Sequence, residues 1–496
     1  LSAEKERTAR SALWSLVENG GLAAISLGTL VIYAHLLSPS AFGLFAVVLS
    51  WIEILQVLVT MFFHDALVQR HNVTERHYDT AFSVGMAASL LLAALTCLAS
   101  PLFAAAVEEP QAAVVLCAMS LCLPFAALSA TIVARQRKSF GFRALALRSL
   151  IGRVAGAVIG VGLIVGGAGI WGLIAQQVLI QAVGSGYLWA ASRERPKLAF
   201  GLDELKELAR FGAYAVSTLL LGFAIKRLFT IAAGMFLGVE LAGHLNLAFR
   251  TVDVFWAVAA TAATQVALPL LASMQRDLPR LRQAFQRATA LVCLLLYSAF
   301  IGLGLVAPEL VEVMFGAKWQ ASAPYVTALS CLVLIQAPRV LVAPLLTALG
   351  RPRDLVVAKA VELAFVVAAV AVTRLPSLGL AVGVWIAREL FTLTLTVRQL
   401  RDAAGFDLRT QFKPCLMPAL CALSMAAVVL VARALLPPGL HLALRLSLLV
   451  SLGVIGFGGA LLAFDREQVR SLNSLLRAAV GRRAAPSAEL ALSRSP

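Results

Sequence analysis

The sequence predicts an all-α integral membrane protein of about 14 transmembrane helices, on three observations. The 496 residues are 60% hydrophobic and only 14% charged, with a mean hydropathy of +0.87; soluble chains carry about a quarter charged residues. Apolar runs recur at the roughly 20-residue length that crosses a bilayer. Lys and Arg crowd into alternate loops, which is how a polytopic chain is oriented. The formal net charge of +16 would otherwise suggest a nucleic-acid partner, but its confinement to short loops excludes that class. The seven cysteines form no CxxC pair and read as small apolar filler. The six histidines lack metal-ligand spacing, so neither a metal nor a cofactor is expected.

The spans are justified in order along the chain. Residues 12–33 follow the basic stretch LSAEKERTAR and are too long for the apolar core of a cleaved signal, so they read as an uncleaved anchor. Spans 41–63, 80–103 and 111–133 follow, each bounded by a polar or Pro/Gly-containing turn. Spans 147–167 and 169–191 are separated only by GGAG (Gly166 to Gly169), adequate punctuation for a tight turn. Gly152, Gly156 and Gly160, every fourth residue, give the fifth span a small-residue face for close helix approach. Span 211–235 is preceded by GLDELKELARFG. This reads as a short interfacial amphipathic lead-in with Leu202, Leu205 and Leu208 on one side. Spans 243–271 and 288–307 precede 322–349, where Pro338 and Pro344 disturb the helix and free carbonyls that need partners. Spans 355–373, 378–397, 415–436 and 441–463 complete the set, and an Arg/Ala/Ser-rich tail follows.

About 29 basic residues fall in the N-terminus, the 64–79 loop, RQRKSFGFR, SRERPKLAFGLDELKELAR, MQRDLPRLRQAFQR, GRPRD, RQLRDAAGFDLRTQFK and the tail, whereas the alternate loops hold only Lys318 and Arg374. This asymmetry predicts both termini in the cytoplasm. The longest outer loop, Pro308 to Gln320, is too short for an active-site domain. The sequence also shows no DxD pair, HExxH or Walker motif, so an enzyme is not expected.

A weak repeat runs through the chain. LLSPSAFG (Leu36 to Gly43) and FLGVELAG (Phe236 to Gly243) lie 200 residues apart, and each joins an outward helix to an inward one and closes on Gly. ARQRKSFGFRALAL after span four likewise matches ALGRPRDLVVAKAV after span ten in position. Internal symmetry of this kind suggests a transporter. The expected organisation is a six-helix lobe over 1–200, a second over 201–400, helices 13–14 over 401–464 and a cytoplasmic tail over 465–496.

SALWSLVENGGLAAISLGTLVIYAHLLSPSAFGLFAVV, RQRKSFGFRALAL, GAGIWGLIAQQVL, LGVELAGHLNLAFRTVD and, most strongly, FGAKWQASAPYVTALSCLVLIQAPRVLVAPLLTALGRPR resemble bacterial polysaccharide and O-antigen flippases. These form the polysaccharide-transport branch of the multidrug/oligosaccharidyl-lipid/polysaccharide exporter superfamily. The resemblance covers the chain in order through span twelve. It implies two six-helix bundles around a central cavity in the bacterial cytoplasmic (inner) membrane. It also implies alternating access and an undecaprenyl-pyrophosphate-linked oligosaccharide as cargo, moved from the inner to the outer leaflet. Membrane lipids and polysaccharide polymerase or assembly proteins are the implied partners. Many relatives carry an acid in span seven where this chain has Lys226.

Charge within the bilayer costs at least about 2.5–3.5 kcal/mol per residue, so each intramembrane charge requires a reason. Lys226 and Arg227 are adjacent and point about 100° apart on a helix. One reading places them in a water-filled cavity that grips a pyrophosphate, Arg bidentately and Lys as a point charge. The other pairs them with Glu18, Glu53 or Asp253, acids that would equally serve ion coupling. Arg250 and Asp253, three apart, are expected to pair with each other, as are Lys359 and Glu362. Arg339 beside Pro338, Arg388 in mid-span and Arg153 nearer the cytoplasmic face complete the candidate substrate-binding cations. Two alternatives stay open: a multidrug/cation antiporter of the same fold, which an acidic cavity would favour, and a membrane polysaccharide polymerase or glycosyltransferase.

Overall fold

A computed structural model describes residues 2–464 apart from 71, 194, 274–276 and 438; for 2–17, 19, 69, 210–219, 257–273, 278, 352 and 464 it describes the backbone alone. The tail expected over 465–496 lies outside the described residues. All regular elements among the described residues are helices: α1 (Ser2–Leu36), α2 (Pro39–Met61), α3 (His64–Gln69), α4 (Glu75–Val107), α5 (Gln111–Ser120), α6 (Cys122–Lys138), α7 (Phe142–Val165), α8 (Ile170–Ala191), α9 (Leu202–Leu237) and α10 (Val239–Ser273), then α11 (Leu278–Phe315), α12 (Ala323–Cys331), α13 (Val333–Gln336), α14 (Val342–Ala348), α15 (Pro352–Thr373), α16 (Leu378–Ala404), α17 (Leu408–Phe412), α18 (Leu416–Leu435) and α19 (Leu442–Phe464).

The chain is thus an all-α polytopic membrane protein. Among the described residues, 11 helical stretches are long and apolar enough to cross a membrane. The other three expected spans fall on α1, where Gly20–Leu36 forms a shorter apolar helix, and on α8 and α10. Helix α8 is of spanning length, but Gln176, Gln177 and Gln181 dilute its apolar character. Much of α10 is described by backbone alone, so the count of fourteen rests on the sequence. Span ten is broken as its prolines require: α12, α13, a 3-10 turn at Ala337–Arg339 and α14 succeed one another within one expected span.

The chain divides into two compact units. The first comprises Leu1–Val254, Met314–Tyr325 and Pro352–Thr392. Its main core joins Tyr33, Phe45, Ile52, Leu116, Met119 and Leu173 from α1, α2, α5 and α8. A smaller core joins Phe63, Leu67, Tyr78, Ala134 and Leu208. The glycine face of α7 meets α8 as expected: a Cβ at Gly152, Gly156 or Gly160 would sit 2.7–2.8 Å from the backbone oxygens of Ile180, Gln176 and Gly172. The two repeat glycines meet each other reciprocally. A Cβ on Gly43 would lie 1.7 Å from the Val239 oxygen, and one on Gly243 would lie 2.1 Å from the Pro39 oxygen. Only glycine lets α2 and α10 approach this closely.

The second unit comprises Phe255–Val313, Val326–Arg351 and Leu393–Pro496. Its core joins Val306 of α11 to Met425 and Val429 of α18 and Leu449 of α19. Glu309 of α11 accepts from Arg433 of α18 at 2.5 Å and faces Arg445 of α19 at 3.5 Å, an ion-pair fastening within the apolar spans.

Two expectations are corrected. Cys97 and Cys117 are not simply apolar filler but form a disulfide linking α4 to α5, while Cys122, Cys293, Cys331, Cys415 and Cys421 are free. The lead-in to span seven is not a separate short helix but is continuous with α9. Its leucines do not share one surface: Leu208 is wholly buried and Leu205 packs beside it against α3, α4 and α6, leaving Leu202 exposed.

Candidate anion-binding site

The first unit brings several charged side chains of α2, α7, α9 and α10 together. Helix α9 carries Lys226 and Arg227 in succession, so the two side chains diverge by about 100° and reach different neighbours. Lys226 Nζ donates to Asp253 Oδ2 on α10, and Arg227 Nε lies 2.6 Å from Glu53 Oε2 on α2. At about 1.5 Å per residue, Lys226 lies roughly 16 Å from the end of α9. Asp253 and Glu53 each lie about 21 Å from the starts of α10 and α2. All three are therefore near the middle of a hydrocarbon layer about 30 Å thick.

Two more cations join them. Arg250 on α10 lies over the Phe42 ring at 5.6 Å and within Coulombic range of Glu53, Arg227, Arg153 and Asp253. Arg153 on α7 donates from Nη1 to Ser26 Oγ on α1 at 3.1 Å, also within Coulombic range of Glu53. Its Nε is buried without a partner. Four cations therefore face two carboxylates, leaving a positive excess in the bilayer interior. Among the described residues, Arg250 and Arg153 have no carboxylate within ion-pair distance, whereas Lys226 and Arg227 each have one. This corrects the expected Arg250–Asp253 pair: Lys226 on the neighbouring helix takes Asp253 instead.

The side chain of Asp253 is 58% exposed. Exposure of a carboxylate to acyl chains at that depth would cost several kcal/mol, so a group uncovered to this degree calls for a polar surrounding. Arg guanidinium groups in a partly wet, low-dielectric setting bind phosphate oxygens bidentately. A cluster with this charge balance has the chemistry to hold a small oxyanion.

The other candidates have different partners. Arg388 is buried in an ion-pair network, donating to Glu362 and Glu389 while Lys359 Nζ reaches Glu362 at 2.7 Å. Its guanidinium also stacks 3.9 Å over Trp385. The Lys359–Glu362 pair was legible as a three-residue spacing; its junction with Arg388 was not. Arg339, in the second unit, donates from Nε to Thr396 Oγ1 at 3.2 Å. Glu18 accepts from Ser149 at 2.7 Å. Among the described residues no group of three or more His, Cys, Asp and Glu could hold a metal ion.

Sequence reasoning missed an aromatic cluster: Phe229, Phe249 and Trp385 lie 4.9–6.3 Å apart, with Lys226 Nζ 4.7 Å over Phe249. It also missed the role of Lys318 and Trp319, which lie between α11 and α12. Lys318 Nζ donates to the carbonyls of His35 and Leu37, each at 2.7 Å. Trp319 Nε1 donates to Ala34 at 2.8 Å. Together they satisfy carbonyls that α1 leaves open at its end. The signal was present: Lys318 is one of two basic residues in loops otherwise devoid of them.

Comparison with known proteins agrees with the resemblance seen in the sequence. The chain is 29% identical over 316 residues to the succinoglycan biosynthesis transport protein ExoT of Rhizobium meliloti (strain 1021), covering 64% of each chain. It is 26% identical over 292 residues to the teichuronic acid biosynthesis protein TuaB of Bacillus subtilis (strain 168), covering 58% of this chain and 60% of that one. It is 24% identical over 336 residues to the lipopolysaccharide biosynthesis protein WzxC of Escherichia coli (strain K12), covering 66% and 67%. The matched stretches span 60–67% of these relatives' lengths, under two thirds of ExoT and TuaB. In fold, the chain matches the lipid II flippase MurJ in its inward closed conformation, with a TM-score of 0.76 at 12% identity over 92% of this chain and 100% of that one. It also matches an inward-facing multidrug resistance MATE family transporter of the MOP superfamily, with a TM-score of 0.57 at 15% identity over 77% and 96%. At such identities these likenesses speak for fold alone. Residues 32–324 match the family described as polysaccharide biosynthesis protein, more than half of the chain, and the chain belongs to that family.

Proposed function

We propose that this protein is a flippase that carries an undecaprenyl-pyrophosphate-linked oligosaccharide from the inner to the outer leaflet by alternating access, for surface polysaccharide export. The observation that carries this reading is the excess of cations over carboxylates around Lys226, Arg227, Arg250 and Arg153 at mid-membrane. A lipid pyrophosphate presents concentrated negative charge that such a cluster complements, while its isoprenoid tail stays in lipid. An antiporter for cationic drugs would require the opposite balance. No bond is made or broken in this reading, so the protein is not an enzyme. Both termini are taken to be cytoplasmic, and the lobes 1–200 and 201–400 remain part of the proposal.

The test is polysaccharide export in cells carrying the doubly substituted Lys226→Ala/Arg227→Ala protein. Export is expected to be abolished while membrane insertion, read by a fluorescent fusion, stays intact. Normal export would remove the assignment. Purified protein in vesicles should flip a lipid-pyrophosphate saccharide; transport of an organic cation with no effect of the lipid would favour the antiporter.

A further inference from the structure

Resting on the reading of this cluster as a headgroup site, we propose that Asp253 is a built-in competitor. It is an internal anion that occupies Lys226 when the site is empty and that the incoming headgroup displaces.

The two carboxylates of the cluster are held differently. Glu53 is 25% exposed, lies against Arg227, and is within Coulombic range of Arg153 and Arg250. It therefore has cations on several sides. Asp253 is 58% exposed, pairs with Lys226 and has Arg250 alone as a further cation within Coulombic range among the described residues. The less covered carboxylate, with fewer cations around it, is the one that can leave at low cost.

Lys226 is suited to such an exchange. Its ammonium has three rotatable donors and no fixed fork, so an oxygen of Asp253 can be replaced by an oxygen of phosphate without reshaping the site. Its Nζ lies 4.7 Å over the Phe249 ring, which keeps the charge in place while the partner changes. Arg250 and Arg153, without carboxylates of their own among the described residues, would make the first contact with the anion.

The exchange has a consequence for turnover. With every cation unopposed, a diphosphate would be held too tightly to release. A carboxylate waiting beside the bound headgroup repels it and reclaims Lys226, so affinity is deliberately moderated. The same device sets specificity, because a neutral or cationic cargo has nothing with which to displace Asp253. Asp253 is on this account a residue that sets affinity and release, and Lys226 both shields it and receives the cargo.

The test uses the full chain in phosphatidylcholine nanodiscs, with inorganic pyrophosphate as the probe and calorimetric titration as the readout. Asp253→Asn is expected to bind pyrophosphate about tenfold more tightly than the parent protein. Asp253→Glu, which keeps the charge, is expected to leave affinity unchanged. Lys226→Met exposes Asp253 as an uncompensated anion and should lose measurable binding. Lys226→Met combined with Asp253→Asn should recover to within about threefold of the parent. Asp253→Ser provides a second neutral variant if the Asn protein does not fold, with monodispersity on gel filtration as the control. If Arg250→Ala weakens binding about tenfold or more but neutral Asp253 variants bind no tighter than the parent, the competitor role is overturned and the headgroup site survives. If Arg250→Ala has no effect, or no protein binds pyrophosphate, both readings fall together.

Discussion

Arg250 and Arg153 divide the labour of the cluster differently from Lys226 and Arg227. The latter two each spend a donor on a carboxylate, whereas the former have no carboxylate within ion-pair distance among the described residues. Arg250→Ala is therefore expected to weaken pyrophosphate binding by about tenfold to a hundredfold, the loss of one charge-assisted contact of about 1.5–3 kcal/mol. Arg250→Lys should recover only part of that, since the planar fork is lost. Titration calorimetry on both variants checks this. The membership of the cluster was legible in the sequence because a charge inside an apolar run stands out. The pairing was not. Spacing along one helix predicted Arg250 with Asp253, but Lys226 arrives from a neighbouring helix at the same depth, and nothing in a linear sequence encodes the rotation of one helix against another. Arg388 illustrates the same limit. Its adjacent Glu389 was visible, while Glu362, 26 residues away, completes its burial only through packing.

Helix α9 links this site to the basic-loop side of the molecule. Its first turns are tied down by Glu207, which accepts from Arg70 at 2.7 Å and from His77 Nε2 at 3.4 Å. Thr74 N donates to His77 Nδ1, which leaves the Nε2 proton to point at Glu207. Arg76 reaches Glu204 at 3.2 Å, and Leu208 fills the core beneath. The hydrogen bonds from Arg70 and then His77 hold the Glu207 carboxyl below its ordinary value of 4.5. Because the folded value is the lower one, the stabilisation is present above about pH 4.5 and is lost as pH falls through the depressed value. The protection of the 202–209 amides against hydrogen exchange, taken relative to the unstructured rate at each pH, should therefore hold from neutral pH down to about pH 5 and fall below the ordinary carboxylate range. Glu207→Gln should show faster exchange at neutral pH and no such acid step. The charge pattern of GLDELKELARFG revealed an amphipathic helix, but hydropathy treats lipid and protein interior alike, so what its leucines face was hidden. The crossing of α2 and α10 gives a second test at this scale. Gly43→Leu would drive a side chain into the Val239 carbonyl, and overpacking of this kind costs about 1–3 kcal/mol or more. A lower unfolding temperature of the purified protein, with Gly85→Leu as a control in open space, checks it.

At the scale of the whole molecule, the class and the order of elements followed from composition and loop charge because the bilayer imposes so few solutions. Backbone groups must be satisfied within each span, and helices do this. The second unit holds a further feature that hydropathy passed over, Glu309 between Arg433 and Arg445. Removing one partner of a buried pair leaves an uncompensated charge and costs about 3–5 kcal/mol. Glu309→Gln should therefore loosen α18 and α19 from α11, seen as protease sensitivity of the loop between α18 and α19, and Arg433→Met with Glu309→Gln should restore part of the loss. One contact also bears on how the chain is made. The carbonyl of His35 waits for Lys318, 283 residues downstream. At translation rates of about 5–20 residues per second, that partner emerges roughly 15–60 s later. During this interval the end of α1 at His35 must be satisfied by interfacial water or by the insertion machinery, so its final seating waits until the helices from α2 through α11 have been made.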